Sequence, residues 1–309
     1  MEQTPLDSET ENLTNNNQPG GSLLGHIWAS IAVTVVLGII CCGVYPAVIY
    51  LLGQAIFPVQ ADGSLLKKDG SYTTDDTQAV GSALIGQNFT ATGYFHPRFS
   101  AADNSLTGGS VTGGYDASDS GATNLGPLSD KLINGATNAA TTQPTTQPET
   151  LAFDGVRLRT IHYAVDNGIP FKLYNVDANG NKTPVPLSKY EDAHGNLNDI
   201  ALVDAFPHNG ATAGLIAGDF ATLIPGDAVT GSASGLDPHI SPANAQLQAG
   251  RVASARKVSV DKVKALNDQY TDGPQLGFLG DPGVNVLRLN LALDVKYPLP
   301  AQPAAQPTK

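Results

Sequence analysis

The sequence predicts an α+β protein, in which a single N-terminal transmembrane helix precedes one mixed α+β soluble domain. Residues 27–52 contain no charged side chain. With a rise of about 1.5 Å per residue, a helix of this length extends about 39 Å, enough to cross a hydrocarbon layer of about 30 Å. The residues that follow mix helical and strand-like patterns without a regular alternation of the two, which favours the α+β class.

The apolar run is typical of a retained membrane anchor rather than of a secretory signal peptide. A signal peptide has a basic segment ahead of an apolar stretch of about 7–15 residues. Here the run is longer, and the residues before it carry acidic side chains but no lysine or arginine: Glu2, Asp7, Glu9 and Glu11. Pro46 lies inside the run and removes one helical hydrogen bond, which membrane helices tolerate.

Composition sets the boundaries of the segments. Residues 1–22 are rich in Asn, Thr, Gln and Glu, and residues 295–309 are rich in Pro, Ala and Gln. Both stretches predict disordered tails, because they offer too little apolar surface to bury. Between them the sequence predicts a transmembrane helix over residues 23–57 and a soluble domain over residues 58–294.

Net charge argues against two kinds of partner. The chain has 28 acidic and 17 basic side chains, which gives a formal net charge of −11. A nucleic-acid partner requires a basic stripe, and anionic lipid headgroups repel an acidic surface. Both cysteines, Cys41 and Cys42, lie in the apolar run. The soluble domain therefore has no disulfide framework and no thiolate site.

The residue pattern leaves the orientation in the membrane open. Lys67 and Lys68 follow the apolar run, and the positive-inside rule then favours a cytoplasmic soluble domain. Long domains, however, are translocated largely regardless of their charge. No side of the membrane is therefore assigned from charge alone.

A β-hairpin is predicted where Phe171–Val176 and Thr183–Leu187 flank the turn dipeptide Asn179-Gly180. The turn has a superficial similarity to a calcium-binding loop. Lys182, however, occupies the position at which such a loop needs glycine. We therefore predict a structural turn and no calcium site.

The C-terminal part of the domain predicts two helices and a strand. Ser241 followed by Pro242 has the pattern of an N-cap and first helical residue. A second helix is predicted to begin at Ser259. The stretch Val284–Leu293 alternates apolar with polar residues over its first part, which predicts a strand with one covered face.

Candidate catalytic chemistry is confined to one loop. Ser232, Ser234, Asp237 and His239 supply the residue types of a hydrolytic triad, but residues this close in one loop rarely reach triad geometry. A turn capped by Asp237 is the favoured interpretation. The chain has no Gly-x-x-x-x-Gly-Lys-Ser/Thr phosphate-binding motif. No metal-ligand spacing is present among the six histidines, which are His26, His96, His162, His194, His208 and His239.

Three blocks behind the membrane helix are dense in patterned residues: residues 80–102, 120–127 and 224–294. Residues 80–102 are similar to G-S-x-L-I-G-Q-x-F and Y-F-H-x-R-P-S-A-A, and residues 120–127 to S-G-x-x-N-L-G-P. In the third block, residues 229–256 are similar to V-T-x-S-x-S-G-L-D-P-H-I-S-P followed by x-x-A-x-x-Q-x-x-R-V-A-x-A-R, and residues 280–294 to G-E-P-R-V-N-V-L-x-L-N-x-A-L-D. With these motifs the three blocks resemble the C subunit of the potassium-transporting ATPase of the bacterial Kdp system.

The chain also departs from this pattern. Phe99 stands where proline is usual, Asp281 where glutamate is usual, and Gly283 where arginine is typical. The stretch of about residues 134–219 is longer than the family requires. The resemblance therefore implies that the soluble domain carries a long insertion there.

The resemblance implies an accessory, non-catalytic subunit of a high-affinity, ATP-driven potassium uptake pump. The implied partners are a potassium-channel-like subunit, an ATP-hydrolysing subunit and the lipid bilayer. The implied location is the bacterial inner membrane, with the N-terminus in the cytoplasm and the soluble domain outside. No cofactor is expected to bind tightly, although the family is credited with raising the ATP affinity of the pump subunit through a ternary complex.

The residues that carry the family signature are the candidate site residues. They are expected to lie at an interface or to be nucleotide-related, and they are Ser234, Gly235, Leu236, Asp237, Pro238, His239, Gln248 and Arg251. No catalytic or metal-binding residue is assigned. An alternative is a membrane-anchored extracytoplasmic hydrolase or solute-binding module that uses the Ser/Asp/His loop.

Overall fold

The computed structural model describes residues 22–102, 114–138 and 150–300. Its chain divides into two compact units, Met1–Ala61 and Asp62–Lys309. The described residues of the first unit, 22–61, are mainly helical and the second unit mixes helices with short strands, so the predicted α+β class with one N-terminal apolar helix is confirmed. The predicted tail of residues 1–22 lies outside the described residues except for Ser22.

The first unit is a long apolar helix. It consists of α1 (Leu23–Ile39), a π-helical turn (Ile40–Val44) and α2 (Tyr45–Ile56), and a short helix, α3 (Pro58–Ala61), follows. In the part of the chain that the structure describes, Leu23–Ile56 is the one helix long and apolar enough to cross a membrane. All its residues up to Leu52 are exposed in the isolated chain. This apolar surface is suited to lipid or to another membrane protein.

The π-helical turn lies directly before Pro46. A proline has no N–H group and its ring crowds the preceding turn of an α-helix. In this helix the N–H of Tyr45 donates to the carbonyl of Ile40, five residues back. The wider turn therefore accommodates Pro46 without ending the helix, as π-bulges do elsewhere.

The second unit contains short strands, six further α-helices and three single-turn 3-10 helices among the described residues. The strands are β1 (Leu65–Leu66), β2 (Tyr72–Thr73), β3 (Gly81–Ser82), β4 (Ala136–Asn138), β5 (Thr150–Phe153), β6 (Lys172–Val176), β7 (Lys182–Val185), β8 (Gly214–Gly218), β9 (His239–Ile240), β10 (Thr271–Asp272) and β11 (Gly283–Asn285). The helices are α4 (Asp130–Asn134), α5 (Gly155–Asp166), α6 (Asp199–Ala205), α7 (Pro242–Arg256), α8 (Val260–Gln269) and α9 (Val286–Lys296).

These strands form four small antiparallel sheets. Their strand orders are β2-β1-β3, β4-β5, β7-β6-β8 and β10-β11-β9. In the last of these sheets, β9 lies at the end of the signature loop, which we define as residues 234–239, and pairs with β11 near the C-terminus. His239 pairs with Asn285, and Ile240 pairs with Val284.

The main hydrophobic core lies among α7, α8 and α9. Its buried residues include Ile240, Val252, Val263 and Leu289. The predicted start of α7 is confirmed, because the Ser241 hydroxyl accepts a hydrogen bond from the N–H of Asn244 at 3.1 Å and Pro242 is the first helical residue. The predicted start of α8 is confirmed as well, since Ser259 is its N-cap.

The strand predicted over Val284–Leu293 is wrong. Only the short β11 is extended, and the chain turns into α9 at Val286. The Asn285 side chain caps this helix by accepting from the N–H of Arg288 at 3.1 Å. Asn290, which the pattern placed on an exposed face, is buried and bonds both the N–H and the C=O of Phe95. The strand prediction fails because it treats Asn290, a buried and hydrogen-bonded residue, as part of the exposed polar face of a strand.

The predicted disordered tail does not begin at residue 295. Val295 and Lys296 are the last residues of α9, and Tyr297 packs against the main core. The carbonyl of Tyr297 accepts a hydrogen bond from Arg256 at 2.8 Å. In the rest of this predicted tail, residues 298–300 form no helix or strand, and residues 301–309 lie outside the described residues.

A second hydrophobic core lies within the stretch predicted as an insertion. It consists of buried residues between positions 158 and 215, which are Leu158, Ile161, Leu173, Leu202, Val203, Phe206 and Leu215. The predicted hairpin is confirmed, since β6 and β7 pair across the Asn179-Gly180 turn.

One turn construction occurs twice in this stretch. Asp177 accepts hydrogen bonds from the N–H groups of Asn179 and Asn181, and Asp192 accepts them from the N–H groups of His194 and Asn196. Each aspartate also accepts a bond from the asparagine side chain four residues on. In the first turn these hydrogen bonds engage both carboxylate oxygens, which supports the structural turn predicted there.

Candidate functional site

The signature loop, residues 234–239, is the point at which the three recognisable blocks of the sequence meet. The carbonyl of Ser234 accepts a hydrogen bond from the N–H of Gly121 at 3.0 Å. The carbonyl of Gly235 accepts one from the hydroxyl of Ser100 at 2.6 Å, and that of Leu236 accepts one from the N–H of Gly86 at 2.8 Å. Successive carbonyls of the loop are therefore fixed by residues far away in the sequence.

Gly235 is required by the geometry of this loop. Its φ of +69° lies in the left-handed region, which side chains make unfavourable. A Cβ atom on Gly235 would lie 2.5 Å from the carbonyl oxygen of Gly121 and 2.8 Å from the Cβ of Ala102. Both the backbone conformation and the close contacts therefore demand glycine.

Asp237 joins an arginine to the end of the loop. One carboxylate oxygen accepts a hydrogen bond from Arg98 Nη1 at 3.2 Å, and the other accepts from the N–H of His239 at 2.9 Å. The predicted turn capped by Asp237 is thus confirmed. Burial by itself raises the pKa of Asp237, but the hydrogen bonds from His239 and the charge of Arg98 together lower it below its ordinary value. The carboxylate is ionised at neutral pH.

The serine, aspartate and histidine of the loop are not arranged as a hydrolytic triad. His239 Nδ1 lies 3.4 Å from Asp237 Oδ1. The Ser234 hydroxyl instead accepts a hydrogen bond from the N–H of Leu236 at 3.1 Å, within its own turn. Among the hydrogen bonds of the described residues none joins a serine oxygen to His239. The described residues also contain no group of three His, Cys, Asp or Glu side chains suited to a metal ion.

Gln248 lies inside the domain rather than on its surface. It is 1 % exposed. Its Oε1 accepts hydrogen bonds from the N–H of His96 at 2.7 Å and from Arg251 Nη2 at 2.7 Å. Its Nε2 donates to the carbonyl of His96 at 3.1 Å and to Asn244 Oδ1 at 2.9 Å. In this conformation Gln248 positions other residues and does not reach a partner itself.

Arg251 forms hydrogen bonds with residues 92–96, the segment whose last residue, His96, is bonded to Gln248. Its Nη1 donates to the carbonyls of Thr92 and Tyr94 at 2.8 and 2.9 Å. Its Nε donates to Asn167 Oδ1 at 3.1 Å, which links α7 to the end of α5. Burial and the charge of Arg251 lower the pKa of nearby His96 to about 4, so this histidine is neutral at physiological pH.

Arg256 is a residue of this arrangement that the sequence analysis did not single out. It donates to the carbonyl of Gly93 at 2.7 Å and to Asp294 Oδ1 at 2.9 Å. Its guanidinium carbon lies 4.8 Å from the centre of the Tyr94 ring. The sequence does contain a signal for Arg256, because Arg256 is the last residue of the recognisable segment 229–256, which also contains Arg251.

An open cleft of about 1000 Å³ lies beside the signature loop. Asp237 and His239 line it from the loop side, and Asp272 and Arg288 line it from the other side. Arg288 Nη1 lies 3.2 Å from Asp272 Oδ2. The loop's polar side chains therefore face an open, charged surface, which suits binding better than enclosed chemistry.

The fold and this site define an α+β protein with one N-terminal apolar helix long enough to cross a membrane, whose signature loop presents polar side chains to an open cleft. The sequence profile of the family described as "KdpC: K+-transporting ATPase, c chain" matches residues 27–155 and 205–295. The chain belongs to this family, that of the C subunit of the Kdp potassium pump. Residues 156–204, which the profile leaves unmatched, lie within the stretch predicted as an insertion.

Relatives from distant bacteria align over most of their length. All are described as "Potassium-transporting ATPase KdpC subunit". The relative from Mycobacterium tuberculosis is 36 % identical over 272 residues, which is 88 % of this chain and 97 % of the relative. That from Nitratidesulfovibrio vulgaris is 35 % identical over 86 % of this chain and 91 % of its own. That from Burkholderia ambifaria is 37 % identical over 85 % of this chain and 93 % of its own.

Proposed function

We propose that this chain is an accessory, non-catalytic subunit that assembles and stabilises a high-affinity, ATP-driven potassium uptake pump. The observation that carries the proposal is the signature loop, which is held by hydrogen bonds from two distant blocks, residues 80–102 and 120–127, and presents Asp237 and His239 to an open cleft. A rigid loop with half-exposed polar side chains suits docking to another protein, because little conformational entropy is lost on binding.

The proposed partners are a potassium-channel-like subunit and an ATP-hydrolysing subunit of the same pump. The sequence has no phosphate-binding motif of the P-loop kind. ATP hydrolysis is therefore assigned to another chain of the complex. The exposed apolar helix Leu23–Ile56 supplies a second contact, with the bilayer and with the membrane helices of those subunits.

The proposed location is the bacterial inner membrane, with the N-terminus in the cytoplasm and the soluble domain outside. In this orientation the soluble domain does not reach cytoplasmic ATP. An effect on the ATP affinity of the pump is then exerted from outside, by preferential binding to one conformational state of the complex.

Assembly is tested by co-purification of the full chain with the other pump subunits after mild detergent extraction. Asp237→Ala and His239→Ala are expected to lower the recovery of the complex and its potassium-dependent ATP hydrolysis only modestly, because each removes one of several contacts. A wild-type chain that is recovered alone would overturn the proposal. Turnover of a substrate by the isolated chain, abolished by either change, would favour the hydrolase alternative.

Orientation is tested by labelling with a membrane-impermeant thiol reagent. Ser64 would be a poor position for the new cysteine, because it is only 6 % exposed and has a φ of +52°. Ala193→Cys is better placed, since residue 193 lies exposed in the turn closed by Asp192. In a background with Cys41→Ala and Cys42→Ala, labelling of intact cells stripped of their outer membrane supports the proposed orientation. Labelling only after lysis contradicts it.

A further inference from the structure

The loop between β10 and β11 presents large apolar side chains to solvent. This apolar loop comprises residues 273–282. Leu276 is 83 % exposed, Phe278 is 74 % exposed and Leu279 is 49 % exposed. Exposed side chains of this size, clustered on one short loop, mark an interaction surface more often than a solvated one.

The apolar loop is held in one conformation by its own backbone. Gln275 and Leu279 form a bridge in which each N–H donates to the other's carbonyl at 2.9 Å. Leu276, at the tip, has a φ of +53°. This conformation is unfavourable for a leucine, and burial of the side chain within the chain does not compensate for it. Strain at an exposed apolar tip therefore points to presentation of the side chain to a partner.

The apolar loop borders the cleft beside the signature loop. Leu279 and Asp281 line that cleft together with Asp237, and β11 pairs directly with β9 at the end of the signature loop. The two loops therefore form one continuous surface on a shared sheet.

The cleft carries more negative than positive charge. Asp237 and Asp272 are paired with Arg98 and Arg288. The other lining carboxylates are Asp227, which accepts hydrogen bonds from Ser241 and Asn244, and Asp281. The ion pairs between described residues include no cationic partner for either of these two. Such a surface attracts a cationic group and repels anionic lipid headgroups.

We infer that the apolar loop and the cleft together bind a segment of another pump subunit, in which an apolar side chain lies next to lysine or arginine. This inference rests on the proposed function and names the chemistry of the partner at that site. Leu276 and Phe278 supply apolar contact, and Asp227 and Asp281 supply charge complementarity. A bilayer surface fits less well, because the cleft has room for a polypeptide segment and its carboxylates oppose anionic headgroups.

The contribution of the apolar side chains is tested by co-purification of the full pump from detergent. Leu276→Asn removes the apolar side chain, while asparagine tolerates the left-handed backbone. Phe278→Ser is a second, independent change. Each is expected to weaken the association of this chain with the pump about tenfold or more. The matched control is Leu128→Gln, at a leucine that is 92 % exposed and lies outside both the apolar loop and the cleft, which should leave association unchanged.

The charge contribution is tested by Asp281→Lys. Reversing this charge is expected to weaken association about tenfold and to make what remains less sensitive to salt. Asp261→Lys, on α8 and outside the cleft, is the control for a general change in net charge.

The partner is identified by photocrosslinking in membranes that contain the whole pump. A photoreactive phenylalanine analogue in place of Phe278 is expected to crosslink to a segment of another pump subunit that contains lysine or arginine. Crosslinking to lipid, to a second copy of this chain or to nothing overturns the inference. If the wild-type chain co-purifies and the loop variants co-purify equally well, this inference alone fails. If the wild-type chain captures no pump subunit, the proposed function fails as well.

Discussion

The guanidinium carbon of Arg159 lies 4.2 Å from the centre of the Phe99 ring. Phe99 stands where the resemblance described above leads us to expect proline, and Arg159 belongs to the stretch that the family profile leaves unmatched. The same guanidinium group lies 5.0 Å from the Phe153 ring and forms a buried ion pair with Asp154 at 2.5 Å. Two departures from the family pattern are thus in direct contact, so the unusual phenylalanine is a docking point for the unmatched stretch.

This contact predicts energetic coupling between Phe99 and Arg159. Phe99→Leu is expected to lower the free energy of unfolding by about 1–2 kcal/mol, because a desolvated cation–π contact is lost. A double-mutant cycle with Arg159→Met, followed by urea denaturation and circular dichroism, should give a coupling energy of about 1–2 kcal/mol. Lys189→Met, at the exposed Lys189–Tyr190 pair, should cost no more than about 0.5–1 kcal/mol. Strict additivity of the Phe99 and Arg159 changes would contradict the prediction.

Gly235→Ala is expected to displace the signature loop. The left-handed backbone and the contacts with Gly121 and Ala102 together should lower the free energy of unfolding by about 2 kcal/mol or more. Gly180→Ala separates the two causes, because Gly180 has a φ of +84° but no neighbouring atom within 4 Å of the point where a Cβ atom would lie. That control should cost only about 1 kcal/mol. Equal losses at both positions, measured by denaturant unfolding, would show that the close contacts at Gly235 are unimportant.

Gln248→Met should destabilise the domain through unpaired polar groups. The change keeps the volume but removes the Gln248 partner of the N–H and C=O of His96 and of Arg251 Nη2, whereas Asn244 Oδ1 keeps the Tyr163 hydroxyl as a donor. Each buried group left unpaired costs about 1–3 kcal/mol. We expect a total loss of about 2–4 kcal/mol in the free energy of unfolding. Gln246→Met, at a half-exposed position on the same helix, is the control and should stay within about 0.5 kcal/mol of wild type. A Gln248 variant as stable as this control would rule out the positioning role.

The half-buried His96 predicts that the free energy of unfolding falls on acidification. Its pKa is lowered to about 4 in the folded chain, against an ordinary value of 6.5, so only the unfolded state binds a proton between these values. Stability from this group is therefore complete above pH 6.5 and falls as the pH drops toward 4, by up to about 1.4 kcal/mol per pH unit. In His96→Gln this dependence should disappear.

His162 and His208 should contribute to the pH dependence of stability with the opposite sign to His96. Burial lowers the pKa of each, but hydrogen bonds with Asp199 and Asp130 outweigh it and raise the pKa above 6.5. Their contribution is complete below pH 6.5 and is lost as the pH rises through the raised values. Urea denaturation at about pH 5, 6, 7 and 8 separates the effects. A wild-type chain and a His96→Gln variant with identical pH dependence would contradict the assignment to His96.

Strong local signals explain what could be predicted from the sequence. The membrane helix follows from an uncharged run, the cap of α7 from Ser241 and Pro242, and the hairpin from Asn179-Gly180. The turn at Asp237 was likewise a local pattern, since its carboxylate bonds the N–H two residues on. Each of these depends on residues within a few positions of one another.

The errors arose where distant residues decide the outcome. Asn290 has the pattern of an exposed residue until Phe95, far away in the sequence, takes up both of its hydrogen-bonding groups. Gln248 was expected at an interface, yet it is buried because His96 supplies partners for both ends of its amide. Only the assembled fold reveals such pairings, since a buried polar residue is stable when its partners happen to be supplied.

Because the hydrophobic core of residues 158–215 is separate from the main core, the length of this part of the domain can change during evolution. Each of the two interiors satisfies its own packing, and a few side chains such as Tyr163, which donates to Asn244, join them. Residues can therefore be inserted around the second core, or its loops can vary, without repacking α7, α8 and α9 of the main core. The second core can therefore change in sequence and length during evolution while the main core keeps its structure.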